Sequence, residues 1–81
     1  MHKVVHSVNN IHRIVIPSSP DGDGVFIQAH YTLSENIVEI NRLRVHTIID
    51  DYIGSDISDS LDLISHLFMT KLVESDLNSI L

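Results

Sequence analysis

Six histidines, His2, His6, His12, His30, His46 and His66, are the side chains of this 81-residue chain best able to ligate a metal or move a proton. A metal centre needs three or four nitrogen or oxygen ligands to converge. The sequence offers only pairs: His46 with Asp50 and Asp62 with His66, each four residues apart, a spacing that sets imidazole beside carboxylate on a helix. Neither pair has a third ligand at a useful spacing, so no metal is expected. Asp21-Gly22-Asp23-Gly24 opens like a calcium loop, but the twelfth position is Thr32, where a bidentate glutamate is required. Ten serines beside six histidines guarantee chance pairings without defining a nucleophile, its base and an orienting group. No cysteine is present to supply a thiolate. The expectation is a protein that is not an enzyme and carries no cofactor.

What positions these residues follows from patterning. Val4–Val8 and Ile11–Ile16 are rich in β-branched residues and flank Asn9-Asn10, which predicts a hairpin. Residues 17–24 concentrate Pro, Ser, Asp and Gly and read as a loop. Residues 25–31 alternate and predict a third strand, with Gln28 and His30 on its outer face. Thr32 and Glu35 fit a capping box, and Ile37, Val38, Val45, Ile48, Ile49 and Tyr52 then fall on one arc at helical spacing. Gly54 suits the C-cap of that helix, and Ser58 or Asp59 the start of a second, on which Leu61, Ile64, Phe68 and Leu72 recur. The expected fold is α+β: a short antiparallel three-stranded sheet followed by two helices, β-β-β-α-α, in one compact domain over residues 1–81.

Two short stretches resemble parts of known families. Asp59-Ser60-Leu61 resembles the attachment motif of acyl and peptidyl carrier proteins, which implies a phosphopantetheine on Ser60; the likeness covers those residues and the Asp62-Leu63-Ile64 after them. The strand 25–31 with two helices after it is similar to the ribbon-helix-helix repressors. That resemblance implies DNA contacts by Gln28 and His30.

Composition bounds the remaining classes. The net charge is −6, with only five Lys and Arg against eleven Asp and Glu, so the chain as a whole repels a polyanion. The charge is graded: residues 1–20 hold Lys3 and Arg13 and no acid, whereas residues 50–81 hold seven acids against Lys71. No run approaches the ~20 apolar residues of a membrane span, and the absence of cysteine fits a reducing compartment, so a soluble cytoplasmic protein is expected. A chain this short hides about 60% of its unfolded surface, yet 43% of its residues are hydrophobic. That excess calls for a homodimer or a protein partner.

The candidate binding residues follow from the same arithmetic. Asn41 and Arg44 interrupt the apolar arc of the expected first helix, and could contact a partner, or bond locally with Arg44 pairing to Asp51. Asp56, Asp59, Asp62, Glu74 and Asp76 stand beside leucines on the expected second helix, a combination suited to a basic protein surface. The expected function is therefore a small acidic inhibitor or regulator of antitoxin, immunity or anti-defence type. A DNA-binding regulator of ribbon-helix-helix type is the alternative, favoured if Lys3, Arg13, Arg42 and Arg44 share a face.

Overall fold

A computed structural model of the chain describes residues 8–81. Four strands form one antiparallel sheet in sequence order: β1 (Val8–Pro17), β2 (Gly24–Ser34), β3 (Ile37–Ile49) and β4 (Tyr52–Asp56). A 3-10 turn at Ser58–Ser60 leads to one helix, α1 (Leu63–Ile80). The α+β class and the antiparallel sheet agree with the sequence reading; the count does not, since four strands and one helix replace three strands and two helices.

The correction is centred on β3, which occupies the stretch read as a first helix. Seven of its thirteen residues are β-branched, which favours a pleated strand over a helix. The helical spacing is coincidental: of the arc Ile37, Val38, Val45, Ile48, Ile49 and Tyr52, only Val38 and Val45 pack on the core cluster, while Ile37, Ile49 and Tyr52 are exposed. β3 is also interrupted, since His30 pairs with Arg42 but Tyr31 with Ile40, leaving Asn41 as the extra residue of a β-bulge. Val38 and Ile40 on one side of the bulge, and Leu43 and Val45 on the other, all pack on the core.

Turn chemistry closes the hairpins. Glu35 and Asn36, with φ of 53° and 68°, join Ser34 to Ile37, and Asp50 and Asp51, with φ of 51° and 68°, join Ile49 to Tyr52. Both are two-residue turns with two left-handed residues, the form that matches the twist of paired strands. Thr32 and Glu35 are therefore not a capping box. Asn9-Asn10 is not a turn either: both residues lie within β1, opposite Thr32 and Tyr31. Residues 4–7 of the expected first strand lie outside the described residues. Gly54 belongs to β4, where a Cβ would come within 2.8 Å of the Thr47 hydroxyl.

The helix begins where a side chain can cap it. Asp62 accepts a hydrogen bond from the Ser65 backbone N–H at 2.6 Å. Val73 and Leu77 of α1 join Ile27, Ala29 and Val45 of the sheet in a fully buried cluster, with Ile14, Leu43, Ile57 and Met69 packed around it. Burying each large side chain contributes about 2 kcal/mol, so four such residues beside Ala29 make a slender core. The helix covers one face of the sheet. Among the described residues the other face carries no helix.

Candidate functional site

Strand alternation and register decide what stands on the open face. Ile27, Ala29 and Val45 point to α1, so their neighbours Phe26, Gln28, His30, Arg44 and His46 point away from it. Across the strands Arg13 pairs with Gln28 and Gln28 with Arg44, while His30 pairs with Arg42. All three arginines of the chain thus share one face, which no local feature of the sequence marks. Asn41, in the bulge, donates to the Thr32 hydroxyl at 2.6 Å on the same side.

Arg44 pairs with Asp56 at 2.8 Å, not with Asp51 as the helical reading required, because β4 brings Asp56 next to the neighbouring His46. Asp56 also accepts from the Ser58 hydroxyl and from the Ser58 backbone N–H. These two bonds, and then Arg44, hold its carboxyl well below the usual carboxylate range. The Ser58 hydroxyl oxygen in turn accepts from the Val45 backbone N–H at 2.8 Å, which ties the end of β4 to β3.

The other predicted acids are dispersed. Asp59 is exposed in the 3-10 turn; Asp62 caps α1, its pKa lowered by the Ser65 backbone and hydroxyl. Asp76 contacts His12 of β1 at 2.5 Å, and Glu74 lies half-buried on α1, about 18 Å of helix rise beyond Asp62. Asp59 and Asp62 are grouped by the structure; Glu74 and Asp76 are not part of that group.

Beside Asp59 and Asp62 lies a surface that the sequence announced only as an apolar excess. Leu63, Ile64, Leu67 and Phe68 are 73%, 79%, 50% and 60% exposed. At 100° per residue Ile64 and Phe68 lie roughly opposite the side of α1 that carries Val73 and Leu77, Leu67 lies on its flank, and Leu63 lies in the first turn about 60° from the buried side. Lys71 continues the stripe at its C-terminal end.

The remaining sequence motifs resolve into structural roles. The loop 17–24 docks on the β3–β4 turn: the Asp50 backbone N–H donates to Asp23 at 3.0 Å, and the Asp51 N–H to the Gly22 carbonyl at 2.8 Å. A cleft of about 280 Å³ lies there, lined by Val15, Pro17, Ile48 and Ile53 with Asp23 and Asp51 at its rim. His46 and Asp50 are on a strand and a turn, so their four-residue spacing does not pair them. Among the described residues no three potential ligands gather into a metal site. Ser60 lies in the 3-10 turn, with one helix after it, and the helices of a carrier protein are not formed. Nor is a ribbon-helix-helix: β2 pairs on both sides within its own chain, and β3 follows where that family has a helix.

The fold and its surfaces define a class: an antiparallel four-stranded meander under one C-terminal helix, with an apolar and acidic helix side and an arginine-bearing sheet side. Comparison of the chain with protein-family models, curated proteins and solved structures gave no match. Among the described residues no helix is long and apolar enough to cross a membrane.

Proposed function

We propose that the chain acts without catalysis by binding another protein, as an inhibitor or regulator of antitoxin, immunity or anti-defence type, and that the outer stripe of α1 is its contact surface. The observation that carries this reading is the exposure of Ile64, Leu67 and Phe68 on the outer side of α1, with Leu63 exposed beside them in its first turn. Large contiguous apolar surface is costly to leave in water and marks interaction sites. Asp59 and Asp62 border the stripe, so the fitting partner has an apolar patch rimmed by Lys or Arg.

Self-association belongs to the same proposal. Among the described residues nothing pairs with the outer edge of β4, and Tyr52 and Ile53 on it are exposed. A second copy would extend the sheet there and leave the stripe of α1 free for the target.

The test is recovery of the tagged protein from lysate of its own host, with and without nuclease, alongside a Leu67→Asp/Phe68→Asp variant. A stoichiometric protein that survives nuclease and disappears with the double variant is the expected result; recovery that ignores the variant would overturn the assignment of the stripe. With the target in hand, Asp59→Asn/Asp62→Asn should slow association more than it speeds dissociation, since rim charges act mainly on encounter. Asn at position 62 retains the helix cap.

A further inference from the structure

We infer that the open face of the sheet is a binding site for single-stranded nucleic acid, separate from the helix surface and independent of the function proposed for it. Charge segregation is the first ground. Arg13, Arg42 and Arg44 all stand on this face, and of the acids on its strands only Glu39 and Asp56 share it, with Asp56 already paired to Arg44; Asp23 and Asp51 rim the cleft at the end by Val15 and Ile53, on the far side of the row of Phe26 and His46 from Arg42. The net charge of −6 therefore misrepresents this surface. Arg13 and Arg42 have no ion pair or hydrogen bond among the described residues. A phosphate reaching them displaces no internal partner.

Ring chemistry is the second ground, and it distinguishes a nucleic acid from an acidic protein. Phe26 and His46 stand side by side, ring centroids 6.1 Å apart and tilted by 52°, between the arginine row and the edge at Val15. His30 follows on β2 beyond Gln28. Planar rings interleaved with guanidinium groups offer stacking surfaces and phosphate contacts together, which suits unpaired bases splayed on a sheet. Arg42 and Arg44 lie ~7 Å apart along β3, and Arg13 lies ~10 Å from Arg44 across β2, so the cations stand along one side of the pair of Phe26 and His46 and beside His30. Gln28 sits between Arg13 and Arg44 with an amide able to meet base edges.

Binding should be weak and strongly dependent on salt. If the three arginines neutralise about three phosphates, the slope of log K against log salt is about −2, and affinity falls ~16-fold between ~50 and ~200 mM salt. The experiment is fluorescence anisotropy of a labelled mixed-sequence single strand of about twelve nucleotides, RNA and DNA in separate titrations, with the full chain. Saturable binding with Kd on the order of 10⁻⁵ M at low salt is expected. Arg42→Ala should shallow the slope by about 0.7, whereas Arg42→Lys should keep it. Phe26→Leu should cost about tenfold through lost stacking, with folding checked by circular dichroism. Leu67→Asp/Phe68→Asp should bind the strand as the parent does, which separates this site from the helix surface. No binding at low salt would overturn the inference. So would binding unaffected by Arg13→Ala/Arg42→Ala, or equal binding of polyglutamate with no loss in Phe26→Leu, which would assign the face to an acidic protein.

Discussion

Asp56 gathers the most local chemistry of any residue described, receiving the Ser58 hydroxyl, the Ser58 amide and the Arg44 guanidinium. Its folded-state pKa is depressed below the usual ~3.9, so the ionised form is the one that folding stabilises. That contribution is complete above pH ~4 and is lost as pH falls from there toward the folded value. Asp62, lowered by Ser65, adds to the same acid limb. Asp56→Asn should therefore lower the melting temperature at neutral pH and flatten its fall below pH ~4; melts that decline in parallel for both proteins would exclude Asp56 as the titrating group. Asp56 was legible in the sequence as a candidate acid. Its Arg44 partner was not, because that contact forms only after β4 folds back on β3, and the local turn by which Ser58 bonds Asp56 was masked by reading Ser58 as a helix start.

Among the elements, β3 is the one whose identity turns on a single residue. Asn41 is inserted between Ile40 and Arg42, and the apolar residues on its two sides reach the core only because the bulge absorbs it. Deleting Asn41 should restore plain alternation, leave Ile40 and Leu43 facing α1 and preserve the fold. Deleting Leu43 should instead turn Arg44 toward the core and unfold the sheet, since a one-residue slip exchanges faces. Circular dichroism and thermal melts of the two deletions decide this; equal damage from both would refute the bulge. The sequence contained the correct signals, β-branched density and two pairs of turn residues at Glu35-Asn36 and Asp50-Asp51. The chance alignment of Ile37, Val38, Val45, Ile48, Ile49 and Tyr52 at helical spacing outweighed them. The C-terminal helix was legible because its apolar spacing is local, but its start was expected at Ser58 or Asp59, where a 3-10 turn stands, and the cap is Asp62.

For the whole molecule, dimensions of 54 × 23 × 17 Å go with one sheet and one helix among the described residues, none of which forms a second layer over the open face. Much of the apolar composition is consequently outside, at Ile37, Ile49, Tyr52 and Ile53 as well as on α1. If β4 pairs with β4 of a second copy, the melting temperature should rise with protein concentration. Ile53→Lys, which places a charge on that edge, should shift sedimentation toward the monomer; unchanged association would move the contact elsewhere. The amino-acid sequence by itself determined the α+β class, the presence of a C-terminal helix, the strand at 25–31 and the apolar excess, because each depends on neighbours a few residues apart. Only the tertiary structure decided that Arg13, Arg42 and Arg44 share a face while Ile64 and Phe68 face away from the core. Those relations depend on strand register and on which side of α1 meets the sheet, and both are fixed by packing between residues distant in the chain.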